Sequence, residues 1–141
     1  LVDGLKDRVV DFIATDHAPH SSSEKECSFE DAVKGISVLE TALGSLLTLV
    51  HEDLIDLPTL IDRLTIAPAN FLGMDLGTLK PGSPADITIF DPKKEWVVDS
   101  SKFVSKGKNT PLEGSILKGK VMATIFAGRF VYKSEGISDG N

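Results

Sequence analysis

The chain has 141 residues, a formal charge of −6, 41% hydrophobic and 26% charged residues, which is the make-up of an ordinary globular protein. The acidic balance argues against a nucleic-acid partner, because phosphate binding needs a basic surface. The longest apolar run, Leu46-Leu47-Thr48-Leu49-Val50, falls far below the roughly 18 residues needed to span a bilayer, so no membrane partner is expected either.

The chain opens Leu1-Val2-Asp3-Gly4, with no initiator methionine and no basic segment of a signal peptide. It reads as the end of something longer. Val9 to Thr15 is apolar apart from Asp11 and Thr15, as a parallel strand covered on both faces would be. Asp16, His17 and His20 follow at its exit, and Pro19 with Ser21-Ser22-Ser23 make a loop. The single cysteine, Cys27, excludes an intrachain disulfide and suits a reducing, cytoplasmic compartment; no second Cys or His lies at a ligand-like spacing from it. Ser28-Phe29-Glu30-Asp31 has the form of a capping box and predicts a short helical turn.

Ile36, Leu39, Leu43, Leu46, Leu47 and Val50 recur at helical spacing and predict an amphipathic helix over 36–50. His51, at its end, reads as a surface residue. Asp56 and Pro58 open a second helix, with Leu57, Leu60, Ile61 and Leu64 as its buried stripe. Pro68 opens a third short segment that Gly73 stops.

Beyond Gly73 the character changes. Pro81-Gly82 suits the centre of a type II turn. Ala85 to Asp91 alternates polar and apolar, as a half-buried strand does, and Glu95 to Val98 is a second candidate strand. A polar loop, Ser105 to Pro111, precedes a closing hairpin, Val121–Ala127 and Arg129–Lys133. The pattern divides the chain into 1–73, a strand followed by helices as in the last unit of an α/β fold, and 76–134, an all-β piece, with a frayed tail at 135–141. Neither half looks self-sufficient, since a lone parallel strand has backbone donors without partners.

Residues at the carboxyl end of a barrel strand face the active site. A carboxylate at Asp16 can serve as metal ligand, general base, N-cap of the following segment or turn former, and the histidines three apart can be ligands or surface residues; spacing alone leaves these open.

Thr15-Asp16-His17-Ala18-Pro19-His20 resembles the segment after the final barrel strand of dihydroorotases, members of the amidohydrolase superfamily. Leu39-Glu40-Thr41-Ala42-Leu43, the stretch from Gly77 to Asp86, Lys106-Gly107-Lys108-Asn109-Thr110-Pro111 and Leu117-Lys118-Gly119-Lys120-Val121 extend the resemblance to about Tyr132. Ala67 stands where that family usually has Asn, a change at a helix start.

The resemblance implies an α/β fold: the end of a metal-dependent hydrolase (β/α)8 barrel plus part of a small β-sandwich. It implies interconversion of N-carbamoyl-L-aspartate and L-dihydroorotate in pyrimidine synthesis, with one or two zinc ions at the barrel mouth. Asp16 would ligate zinc, take the proton of the attacking water and return it to the leaving nitrogen. His20 would hold the substrate carboxylate, and the backbone at Lys34 and Gly35 would face the substrate ring. His17 is left between a supporting role at the site and plain loop structure. The remaining zinc ligands are absent from this sequence, so the chain alone is expected to be inactive and to need the preceding part of the same protein. The implied partners are the small-molecule substrate, a second copy in a homodimer and aspartate transcarbamoylase. A non-catalytic dihydroorotase-like subunit scaffolding aspartate transcarbamoylase, and a hydantoinase or allantoinase, are the competing readings.

Overall fold

The computed structural model describes residues 1–135; apart from Glu135, the tail expected at 135–141 lies outside them. Helices α1 (Val2–Lys6), α2 (Ser22–Lys25), α3 (Ala42–His51), α4 (Leu57–Leu64) and α5 (Ile66–Phe71) precede strands β1 (Ile87–Val97), β2 (Ile116–Phe126) and β3 (Arg129–Lys133). The strands form one antiparallel sheet in the order β1-β2-β3. Among the described residues no helix is long and apolar enough to cross a membrane.

Local signals set the helix ends. The Asp56 carboxylate accepts the Thr59 N–H at 2.7 Å, capping α4 as expected. Helix α5 ends in paired bonds from Gly73 N–H to Asn70 O and from Met74 N–H to Ala69 O, the Schellman arrangement. Two expectations fail. Val9–Thr15 forms no strand, because a strand exists only through its neighbours and none lies beside it among the described residues. Its backbone instead bonds from Val9 and Val10 to Gly4 O and from Ile13 to Arg63 O. The helix expected from Ile36 begins only at Ala42. The backbone before it is drawn elsewhere: Ser37 N–H to Asn109 O, and Val38 and Leu39 N–H to the His17 ring. The capping box at Ser28 gives a single turn, with Ala32 N–H on Ser28 O, while a four-residue helix forms earlier, at α2.

The two expected strands before residue 98 are one, β1, with a register shift between Asp91 and Glu95 where Pro92 interrupts the ladder. Lys93 and Lys94 N–H turn onto the Asp91 carboxylate there. The closing hairpin forms as expected, with Phe126 opposite Arg129.

Leu47 and Leu60, both fully buried, centre the main core, which Ile13, Leu43 and Phe90 also line. A second cluster, Val98, Phe103 and Leu117, lies under Trp96. Helix α3 meets β2 at Gly119, whose φ is +115° and where a Cβ would stand 2.3 Å from Leu47 Cδ1. Only glycine fits that approach. Trp96 Nε1–H donates to Gly119 O at 2.9 Å beside it. The helices and the sheet therefore share one boundary rather than standing apart.

The chain exposes 9812 Å², where a folded monomer of 15.1 kDa exposes about 7,100 Å². Val9, Phe29, Leu79 and Val104 are among the large apolar side chains left in solvent. Exposed apolar side chains of this kind mark surfaces suited to contact with other elements or partners.

Candidate functional site

The loop from Ala14 to His20 leaves the region of Phe12, whose ring packs on Phe71 at 5.0 Å between centroids. Asp16 has φ +47°, a left-handed conformation that Asp tolerates better than most residues, and it is exposed. Ala18 N–H donates to Ile36 O at 3.1 Å, fixing the middle of the loop to the segment before α3.

His17 is tied on both ring nitrogens. Nδ1 accepts the N–H groups of Val38 at 3.0 Å and Leu39 at 3.1 Å. Two donors facing Nδ1 require a lone pair there, so the ring proton is on Nε2, which reaches Ser105 Oγ at 3.4 Å. The imidazole thus serves as a capping acceptor for the turn that leads into α3.

His20 sits across the loop. Its Nε2–H donates to Lys34 O at 2.9 Å, and its Nδ1 lies 3.9 Å from Glu24 Oε2. Glu24 accepts from both Ser21 N–H (2.9 Å) and Ser21 Oγ–H (2.6 Å). Those bonds, side chain first, hold its carboxyl below the usual carboxylate range, and the charges of His20 and Lys25 add to them.

Gly35 packs directly on the loop: a Cβ there would lie 2.4 Å from Ala18 O. Its carbonyl accepts from Lys25 Nζ at 2.7 Å and Asn109 Nδ2 at 2.9 Å. His20, Lys25 and Asn109, with Ser22 and Glu26, line a shallow cleft of about 220 Å³. A larger concavity of about 340 Å³ lies under the start of α4, between Lys6, Asp53 and Thr59; it shares no residue with this loop, and its Asp56 is already used as a cap.

The polar loop 103–109 closes over this side. Glu40 accepts Val104 N–H on Oε2 and Ser105 N–H on Oε1, each at 3.0 Å. Gly107 lies against Pro19 and the His20 carbonyl. The structure brings His20, Lys34 and Gly35 together, through the Lys34 O bond and the close approach of Gly35 to Ala18 and His20, while Asp16 stands exposed earlier in the same loop. Lys25, Glu40, Ser105 and Asn109 lie around them and were missed in residue-by-residue reading. For Glu40 and Asn109 the one sequence signal was membership of the motifs 39–43 and 106–111; Lys25 and Ser105 had none. His51 is exposed at the end of α3, and Cys27 is exposed with a free thiol next to Glu26 of the cleft, its Sγ–H on Glu24 O at 3.6 Å; neither lines the cleft.

As to a metal, the donor set is incomplete. His17 has both ring nitrogens committed and His20 has one, so Asp16 is the free oxygen donor of the loop. Among the described residues no group of three His, Cys, Asp or Glu could hold an ion. The loop fits one ligand of a metal centre and not a centre by itself, since catalytic zinc takes about three protein ligands.

Residues 1–131 match the amidohydrolase family model, and that family is generally metal-dependent. The dihydroorotase of Aquifex aeolicus is 54% identical over 133 residues, 94% of this chain and 31% of that protein. The dihydroorotase of Syntrophus aciditrophicus is 50% identical over 133 residues with the same coverage. Among solved structures, the L-hydantoinase (dihydropyrimidinase) of Arthrobacter aurescens superposes with a TM-score of 0.85 at 30% identity, over 94% of this chain and 31% of that one. These matches bear out the expected α/β hydrolase fold class. The chain spans about 31% of the length of the curated relatives it matches.

Proposed function

The chain belongs to the amidohydrolase family, and from that premise we propose that it is the carboxyl-terminal part of a dihydroorotase. The complete protein interconverts N-carbamoyl-L-aspartate and L-dihydroorotate. One observation carries the choice within the family: identity near 50% to proteins named dihydroorotase, against 30% to a hydantoinase, over the same 94% of the chain.

Asp16 would be one ligand of a metal centre, one or two zinc ions whose other ligands lie outside these residues; when bound, the metal would polarise the amide carbonyl and lower the pKa of water to about 7. The Asp16 carboxylate takes the proton of the attacking water and delivers it to the ring nitrogen as the amide bond breaks. His20 keeps Nε2–H on Lys34 O and turns Nδ1 to the anionic substrate group, a charge-assisted contact when the ring is protonated. The Lys34-Gly35 backbone lines the substrate ring, where a side chain on residue 35 would collide with the loop. The domain boundary near residue 75 separates barrel from sandwich elements, and the lone exposed Cys27 suits a cytoplasmic setting.

The test is an assay of the complete protein on dihydroorotate and on hydantoin, beside the isolated 141-residue chain. Preferred turnover of dihydroorotate by the complete protein, with none by the isolated chain, is the expected result. Preference for hydantoin, or turnover by the isolated chain, contradicts the reading.

A further inference from the structure

We propose that Lys25 and Asn109 are positioning residues for His20, acting through the segment 33–37. The inference rests on the role given to His20 above. The bonds of the segment alternate from residue to residue around Gly35, whose φ is +131°. Toward one side, Val33 O and Gly35 O accept from Lys25 Nζ, Gly35 O accepts also from Asn109 Nδ2, and Ser37 N–H donates to Asn109 O at 2.8 Å. Toward the other, Lys34 O accepts from His20 Nε2 and Ile36 O from Ala18 N–H. Odd residues are gripped by Lys25 and Asn109, and even residues hold the loop.

Asn109 grips the segment twice, by side chain at Gly35 and by backbone at Ser37. Lys25 adds a charged donor to two carbonyls, and hydrogen bonds from a charged group are the stronger kind. The pair therefore decides where Lys34 O points. Lys34 O in turn holds the His20 ring by its Nε2–H, so that Nδ1, which lies 3.9 Å from Glu24 Oε2, is the nitrogen that donates to an anionic group when the ring is protonated. A ring held in advance loses less freedom on binding substrate. Removing the grip weakens binding of the anionic group and leaves the proton chemistry at Asp16 in place, so it acts on KM rather than on kcat.

The test uses the complete protein, with kcat and KM for N-carbamoyl-L-aspartate and the ¹⁵N signals of the His20 ring. Lys25→Met is the main variant, because Lys25 is only half-buried and its loss spares the core. It is expected to raise KM about tenfold, the weight of one charge-assisted bond, and to spread the ring signals over both tautomers. Lys25→Arg, which restores donors to both carbonyls, is expected to recover KM and the single tautomer. Asn109→Ala is expected to repeat the Lys25→Met pattern. In the double variant with His20→Ala, Lys25→Met is expected to add nothing. If His20→Ala raises KM while Lys25→Met does not, the proposal is overturned and the role of His20 stands. If His20→Ala leaves KM unchanged, the role of His20 falls, and the ring signals decide the proposal: a tautomer unmoved in Lys25→Met overturns it, a redistributed one supports it.

Discussion

Replacing His17 by alanine removes the acceptor shared by the Val38 and Leu39 N–H groups. Leu39 is 60% exposed, so water replaces the ring there at little cost. Val38 is half-buried and carries most of the loss. The Nε2 contact to Ser105 Oγ, at 3.4 Å, is at the limit of a hydrogen bond and adds little. A partly buried donor left without a partner costs about 1–2 kcal/mol, the lower part of the range for such groups. That cost corresponds to roughly tenfold faster amide exchange at Val38, since about 1.4 kcal/mol is a factor of ten. The assay is hydrogen exchange by NMR on the complete protein, residue by residue. His17→Asn provides the control: its Oδ1 branches from Cγ where the ring Nδ1 does, so it keeps the acceptor and should exchange at near the original rate. If His17→Ala leaves Val38 protected, or His17→Asn deprotects it as much as alanine does, the capping role given to this imidazole is wrong.

The Glu24 carboxyl should titrate below its ordinary value, and Ser21→Ala should return its midpoint toward that value in a ¹³C carboxyl titration. The sign follows from the depressed folded-state pKa: the stabilisation is complete above the unfolded-state pKa and disappears as pH falls through the lower folded one. An unmoved midpoint in Ser21→Ala would remove Ser21 as the cause. Gly119→Ala should destabilise by about 1–3 kcal/mol from overpacking against Leu47, with the strained φ adding to it; urea unfolding measures this, and a neutral result would mean that α3 does not press on β2 as described.

Short-range chemistry was legible in the sequence and tertiary capture was not. Asp56 with Pro58, Gly73, Pro81-Gly82 and the hairpin at Ala127-Gly128 act on neighbours within four residues, and each forms the element read from it. The strand at Val9–Thr15 needs partners that these residues do not contain. The helical period beginning at Ile36 is real, but the backbone at Ser37, Val38 and Leu39 is claimed by His17 and Asn109, which lie about 20 residues before it and about 70 after. The site divides the same way. Asp16 and His20 stand in a motif whose residue types suit the proposed chemistry. Lys25, Glu40 and Asn109 work on backbone carbonyls and amides, which every residue has, so nothing in the sequence points to their partners.

The central claim concerns the proton carried by the Asp16 carboxylate. Positioned acid–base groups are worth about 10²–10⁴-fold in rate, and Asp16 is also offered as a metal ligand, so its loss should reach at least the upper part of that range. The most direct measurement is kcat for dihydroorotate ring opening by the complete protein with Asp16→Ala, alongside its metal content. The account predicts that turnover falls by about 10⁴-fold; ring opening at the unaltered rate would contradict it.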